Sequence, residues 1–168
     1  MTTHLGRIAI PAVALAIAVA GCGSSGERAA TAGGGTPTVS VKNLAGFGAV
    51  LVDDQGHALY TPDQEASGKI RCTKGCTTFW DPLTAGTSGP TAAPGVTGRL
   101  ATIRRADGTR QVTLGGKPLY RFTEDPGPGQ VTGDDFKDSF DGTTFTWHAV
   151  TTKGTAAPAA TPSQRSGY

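Results

Sequence analysis

The chain of 168 residues is short of nearly everything that announces chemistry. It has three cysteines, three histidines and one methionine. It carries no G-x-S-x-G elbow, no H-E-x-x-H, no phosphate-cradling P-loop and no G-x-G-x-x-G after a strand, which weighs against hydrolase, zinc-protease and nucleotide-binding mechanisms. A large excess of either charge is missing as well, since 15 Lys and Arg stand against 13 Asp and Glu for a formal net charge of +2. With no basic stripe interleaved with aromatics, nucleic acid is not an expected partner. Past the first 21 residues no apolar pattern holds helical spacing for three turns, so long amphipathic helices are excluded. The longest uncharged run near the start, Ile8 to Ala20, falls short of the ~20 apolar residues that a membrane-spanning helix needs.

What is present begins with an export signal. Arg7 is followed by the uncharged run from Ile8 to Ala20, an n-region and an h-region. The run ends in "VAGC", Val19 to Cys22, which resembles the lipobox of bacterial lipoproteins. The resemblance implies that residues 1–21 are a signal peptide cleaved behind Gly21, and that Cys22 gains a diacylglyceryl thioether and becomes the mature N-terminus. Two or three acyl chains on one residue give stable anchoring, so Cys22 is expected to tether the protein to the extracytoplasmic face of a bacterial cell membrane. Residues 22–46, with "GSSGERAATAGGGTPT" among them, offer little apolar surface to bury and are expected to be a flexible linker. Residues 151–168 have the same character and are expected to trail as a tail. Residues 47–150 then form one globular domain with a modest core.

Within that domain short β-branched and aromatic runs are divided by Asp-Gly, Gly-Gly and Pro-Gly punctuation, so the fold is expected to be all-β, built from tandem hairpins in one sandwich-like or meander domain. In "RQVTLGGKPLYRF", Arg110 to Phe122, Gly115 and Gly116 suit a two-residue type I′ turn. Val112, Leu114 and Leu119 then share one face and Tyr120 and Phe122 the other. In "GAVLVDDQGHALYTP", Gly48 to Pro62, a four-residue turn from Asp53 to Gly56 puts Val52 opposite His57 and groups Val50, Val52 and Leu59. Each hairpin leads through an acidic loop to a Trp, in "FWDPL" at Phe79 to Leu83 and "FTWHAV" at Phe145 to Val150. The match in pattern predicts an internal duplication, repeat one over 47–83 and repeat two over 99–150, the second with an extra strand in "RLATIRRADG" from Arg99.

"LYRFTED" resembles the Y-x-[F/W/Y]-x-x-D signature of the secreted-repeat lipoproteins, bacterial envelope proteins of unassigned role that carry this unit in tandem. Tyr120, Phe122 and Asp125 fill its three positions. The first copy keeps Tyr60 but has Pro62 at the aromatic position and Glu65 at the acid, which sets its share in the motif apart. Cys72, Cys76 and Trp80 are similar to the family's C-x3-C and W-P-P, with Asp81 in place of the first of those prolines.

Cys72 and Cys76 are an even pair on the oxidising side of a membrane, and a disulfide between them is the first reading. Two thiolates joined by His57 or His148 around a soft metal, giving a redox or metal-handling protein, is the alternative. Asp125 is a candidate ligand or acid catalyst, but it lies in "EDPGPG", where an Asp side chain commonly caps a nearby backbone N–H, and the cap is the favoured reading. Tyr120 and Phe122, two apart on one strand face, are candidate binding residues as an aromatic platform, although aromatics at that spacing are more often core, and Tyr60, Trp80 and Trp147 are candidate binding or motif residues beside them. The acids of "GDDFKDSFDG", Asp134, Asp135, Asp138 and Asp141, miss the EF-hand spacing and read as a solvated loop. His57 and His148 show no evident carboxylate partner. No catalytic residue, metal or cofactor is assigned, and the expected function is a non-catalytic binding or structural module whose partners are the membrane, through its anchor, and an unidentified envelope component.

Overall fold

The computed structural model describes residues 38–152; the signal peptide, Cys22, most of the expected linker and the tail from residue 153 lie outside the described residues. In chain order the elements are β1 (Ser40–Leu44), β2 (Gly48–Val52), β3 (Tyr60–Pro62), a 3-10 turn (Asp63–Glu65), α1 (Cys76–Phe79) and β4 (Trp80–Pro82). They continue as β5 (Leu100–Arg104), β6 (Arg110–Leu114), β7 (Lys117–Pro118), β8 (Tyr120–Phe122), β9 (Lys137–Phe140) and β10 (Thr143–Ala149). A five-stranded sheet runs β4-β8-β3-β10-β9, with β1-β2 and β5-β6-β7 as smaller sheets. All strand pairings are antiparallel. No helix among the described residues is long and apolar enough to cross a membrane.

The second hairpin forms as its sequence predicts. Gly115 and Gly116 sit at φ +57° and +85°, Leu114 faces Lys117, and the Leu119 N–H reaches the Val112 carbonyl at 3.0 Å. The first hairpin corrects its prediction by one residue. Val52 pairs with Ala58 rather than His57, and Asp53 itself joins the ladder, its N–H donating to the His57 carbonyl at 2.9 Å. The loop is therefore three residues long, closed by Gly56 at φ +88°, the form in which a left-handed glycine restores the strand. Asp53 Oδ1 also accepts the N–H groups of Gln55 and His57, each at 2.9 Å. A one-residue slip moves every side chain to the opposite face. Leu51, not Val50, joins Leu59, and Val50 goes with Tyr60.

The two repeats exchange their Trp strands. β4, at the end of repeat one, pairs with β8 of repeat two, Trp80 facing Phe122 and Pro82 facing Tyr120. β10, at the end of repeat two, pairs with β3 of repeat one, Trp147 facing Pro62 and Ala149 facing Tyr60. Between them Tyr60 faces Tyr120, joining β3 to β8. The same exchange recurs one step on. Leu83 donates to Leu119 and accepts from Val112, at 3.0 and 2.7 Å; Val150 donates to Leu59 and accepts from Leu51, at 2.8 and 2.7 Å. Each hairpin thus completes its sheet only with the other repeat's strand.

This correspondence also moves the start of repeat one. β1 pairs with β2 as β5 pairs with β6, Val41 facing Leu51 and Thr102 facing Val112, so the extra strand expected for repeat two alone exists in both. β1 lies inside the stretch expected as linker, 22–46, and Val39 before it is fully buried. The cause is legible afterwards: Val39 and Val41 alternate with Thr38, Ser40 and Lys42, half of a strand pattern in a Gly- and Thr-rich context.

The buried apolar side chains fall into two clusters. One is aliphatic, with Leu51, Leu59, Leu83, Val112, Leu119 and Val150, and the other aromatic, with Tyr60, Tyr120, Trp80, Trp147, Phe122 and Phe145. Each fully buried large apolar side chain contributes about 1.5–3 kcal/mol. Both clusters draw on both repeats, so neither repeat holds a core of its own.

Candidate functional site

The motif residues meet at the junction of the repeats. The rings of Trp80 and Trp147 stack 3.8 Å apart and within 7° of parallel. Tyr60 meets Trp80 edge-on at 5.5 Å, and Tyr120 meets Trp147 edge-on at 5.2 Å. Both indole N–H groups donate to one carboxylate, Trp80 to Asp138 Oδ2 at 2.6 Å and Trp147 to Asp138 Oδ1 at 2.9 Å. Buried indole N–H groups need such a partner. Tyr60, Tyr120, Trp80 and Trp147 are fully buried and Phe122 nearly so. The aromatic set is the core of the domain rather than an open platform, and Asp138, expected in a solvated loop, is its acceptor.

The acids that close the motif are spent on the same junction, in exchange. The Tyr60 hydroxyl donates to Asp125 Oδ2 at 2.8 Å, and Asp125 Oδ1 accepts the N–H and hydroxyl of Thr132 at 2.8 and 2.7 Å. The Tyr120 hydroxyl donates to Glu65 Oε2 at 2.7 Å, and Glu65 Oε1 accepts the N–H groups of Arg71 and Cys72 at 2.5 and 2.6 Å. Each acid caps the loop of its own repeat and holds the Tyr of the other. Glu65 does in the first copy what Asp125 does in the second, so the departure at Glu65 is no loss of role. Burial first, and then the facing carboxylate, pushes both phenols well above the usual tyrosine range.

Cys72 and Cys76 are joined in a disulfide and fully buried. Arg105, itself almost fully buried, donates from Nη2 to the Cys72 carbonyl at 2.7 Å and from Nη1 to Gln111 Oε1 at 2.5 Å. Gln111 passes its amide N–H to the Leu119 carbonyl at 2.9 Å. The cystine loop is thereby tied to the second hairpin.

Two of the clefts that open at the surface bear on the motif and on a basic patch. One, of about 280 Å³, is lined by Gln55, His57, Asp81, Arg121, Phe122 and Asp125 among others. There Arg121 lies between Asp53 at 2.5 Å and Asp81 at 2.9 Å, and His57 Nδ1 stands 3.6 Å from Asp53, so His57 does have a carboxylate neighbour. Burial alone would raise the Asp53 carboxyl, but Arg121 and the loop N–H groups outweigh it and hold the group below the usual range. The guanidinium is neutralised within the protein. The other cleft, of about 410 Å³, has Lys69, Lys74 and Arg104 around Ile70 and Ile103.

A last cluster was not expected. Asp134 Oδ1 accepts the Ala149 N–H at 2.8 Å, Asp135 takes a left-handed backbone at φ +56°, and His148 comes between them from β10. Its Nδ1 is 3.2 Å from Asp135 Oδ1 and its Nε2 is 3.3 Å from Asp63 Oδ2. One donor atom each from Asp134, Asp135 and His148 lies within 4.8 Å of the others. Asp134 Oδ2 and His148 Nδ1 are buried without a hydrogen-bond partner. Burial, with Asp135 adding to it, raises the Asp134 carboxyl against the opposing Ala149 N–H and His148. The reading of His148 as partnerless and of Asp134 as a solvated loop acid is corrected here. The signal was weak: Asp63 is 85 positions from His148 in the chain.

Residues 101–151 match the lipoprotein family described as a secreted repeat of unknown function. The matched segment runs from β5 to just past β10, so it is the whole of the second repeat, and the resemblance read from "LYRFTED" holds there. No curated protein and no solved structure matches the chain.

Proposed function

We propose that this protein is a lipid-anchored, extracytoplasmic envelope protein whose domain binds or scaffolds an envelope component rather than catalysing a reaction. The observation that carries this reading is the employment of the motif. Tyr60, Tyr120, Glu65 and Asp125 all hold one repeat against the other; Tyr60, Tyr120 and Glu65 are fully buried with no face to offer a substrate, and both oxygens of Asp125, at the edge of a surface cleft, are taken up by Tyr60 and Thr132. The buried Cys72–Cys76 disulfide supports a structural part for the cysteines over a redox one, since catalytic cysteines sit in exposed, electropositive surroundings. The secreted character of the matched family agrees with the export signal and with Cys22 as the tether.

Membrane fractionation and intact-mass measurement of the mature protein test the anchor. The native chain is expected in the detergent phase with the mass of a lipidated Cys22, and the Cys22→Ala chain in the soluble fraction. Soluble native protein with an unmodified Cys22 would remove the anchor. Turnover on hydrolase or oxidoreductase substrate panels, abolished by Asp125→Asn in a folded protein, would remove the non-catalytic half.

A further inference from the structure

We propose that Asp134, Asp135 and His148 form a binding site for a first-row divalent metal ion of the zinc type, with Asp63 orienting the imidazole. Two carboxylates and one imidazole are a mixed oxygen and nitrogen set. Calcium takes six to eight oxygens, whereas zinc accepts imidazole and carboxylate together, and three protein donors with a fourth position left over is the pattern of its exchangeable sites.

The donors are set by the fold. His148 lies in β10 between buried Trp147 and Ala149 and pairs with Thr61. Asp134 is pinned through its other oxygen to the Ala149 N–H. Asp63 comes from the turn that follows β3 in the first repeat, and its Oδ2 at 3.3 Å can accept the Nε2 proton. That contact fixes the tautomer and leaves the Nδ1 lone pair facing Asp134 and Asp135, the carboxylate–histidine–metal arrangement of known sites.

Two atoms here have bonding capacity that a cation would use. Buried polar atoms are nearly always paired, yet Asp134 Oδ2 and His148 Nδ1 have no hydrogen bond. Asp135 Oδ1 stands only 3.2 Å from Nδ1, outside hydrogen-bond alignment. An ion shared among the three atoms satisfies all of them. Donors about 2.0–2.2 Å from one ion stand ~3–4 Å from each other, and one donor atom of each residue already lies within 4.8 Å of the others. Rotation of the exposed Asp135 carboxylate closes the difference.

The competing account is a protonated imidazole held between Asp63 and Asp135 with no metal. Equilibrium dialysis and calorimetry separate the two, using the full mature chain without a histidine tag, with Cys22→Ser to remove the free thiol and the disulfide intact. After chelator treatment, ZnCl2 is expected to bind at one ion per chain, and Co²⁺ to give a visible absorption band at the same stoichiometry. His148→Gln and Asp135→Asn are each expected to remove that binding, and Asp63→Asn to weaken it by about 10–100-fold, while Asp141→Asn leaves it unchanged. Tryptophan fluorescence and thermal melts check that each variant is folded; Asp135 and Asp63 are exposed, so their variants report even if His148→Gln does not fold. Failure of zinc to bind at one per chain, binding unaltered by Asp135→Asn and Asp63→Asn, or equal competition by Ca²⁺ would overturn the proposal. The lipid anchor and the absence of turnover do not enter these readouts.

Discussion

Tyr120→Phe and Tyr60→Phe remove the same hydroxyl from equivalent places, and the structure predicts unequal costs. Tyr120 donates to Glu65, which is fully buried. Without the hydroxyl, Glu65 Oε2 has no donor and no water to replace it. A hydrogen bond to a charged group is worth about 1.5–3 kcal/mol, and an unsatisfied buried acceptor sits at the upper end of that range. Tyr60 donates to Asp125, which is only partly buried and keeps both Thr132 contacts, so water restores most of the loss and the cost is about 1 kcal/mol. For a domain of about 115 residues (38–152), 1 kcal/mol moves Tm by roughly 3–5 °C. Tyr120→Phe should therefore lower Tm by about 9–15 °C and Tyr60→Phe by about 3–5 °C, measured by calorimetry and urea unfolding. A double-mutant cycle of Tyr120→Phe with Glu65→Gln should show a coupling of at least ~1 kcal/mol. Equal, small losses for the two tyrosines, or an additive cycle, would refute the reasoning.

Gly133→Ala should destabilise the domain by about 1–3 kcal/mol in the same melts, because its Cβ would lie 2.8 Å from a Trp80 ring carbon and 3.1 Å from Tyr60, both locked in the aromatic core. Alkaline pH should unfold the domain cooperatively. Both buried phenols are raised in the fold, so their contribution is complete below the ordinary tyrosine pKa of ~10 and is lost as pH rises above it. Absorbance at 295 nm should show their ionisation only together with unfolding. At the acid side the sign reverses for Asp53, which is lowered: its contribution is present above the ordinary carboxylate range and lost as pH falls through its folded value, so Asp53→Asn should flatten the acid limb of a pH–stability curve.

The hairpins were legible where chemistry is local. Gly115 and Gly116 dictate a turn and with it the faces of Val112, Leu119 and Tyr120. Asp53 misled because an Asp before a Gly-closed loop reads equally as turn or as strand, and only its pairing with His57 decides. Tyr60, Tyr120, Trp80 and Trp147 were visible as a repeated set and as core. Their exchange was not, because the strands of β4 and β10 carry nearly the same pattern and each could in principle complete either hairpin. The bonds from Tyr60 to Asp125 and from Tyr120 to Glu65 span 65 and 55 positions, distances over which one sequence carries no pairing signal. The bonds from Trp80 to Asp138, 58 positions apart, and from His148 to Asp63, 85 positions apart, were hidden for the same reason. An acid in a Gly-bounded loop looks solvated until the loop is folded back on a tryptophan or a strand.

The two repeats are interlocked rather than adjacent, and cutting the chain between them tests this directly. A protease site placed between exposed Thr87 and Ser88 separates β1–β4 from β5–β10 without touching either repeat. After cleavage the two fragments should elute together as one particle, keep the native tryptophan fluorescence and part only in denaturant, since each Trp strand completes the other fragment's hairpin. Fragments that separate under native conditions, each still folded, would contradict it.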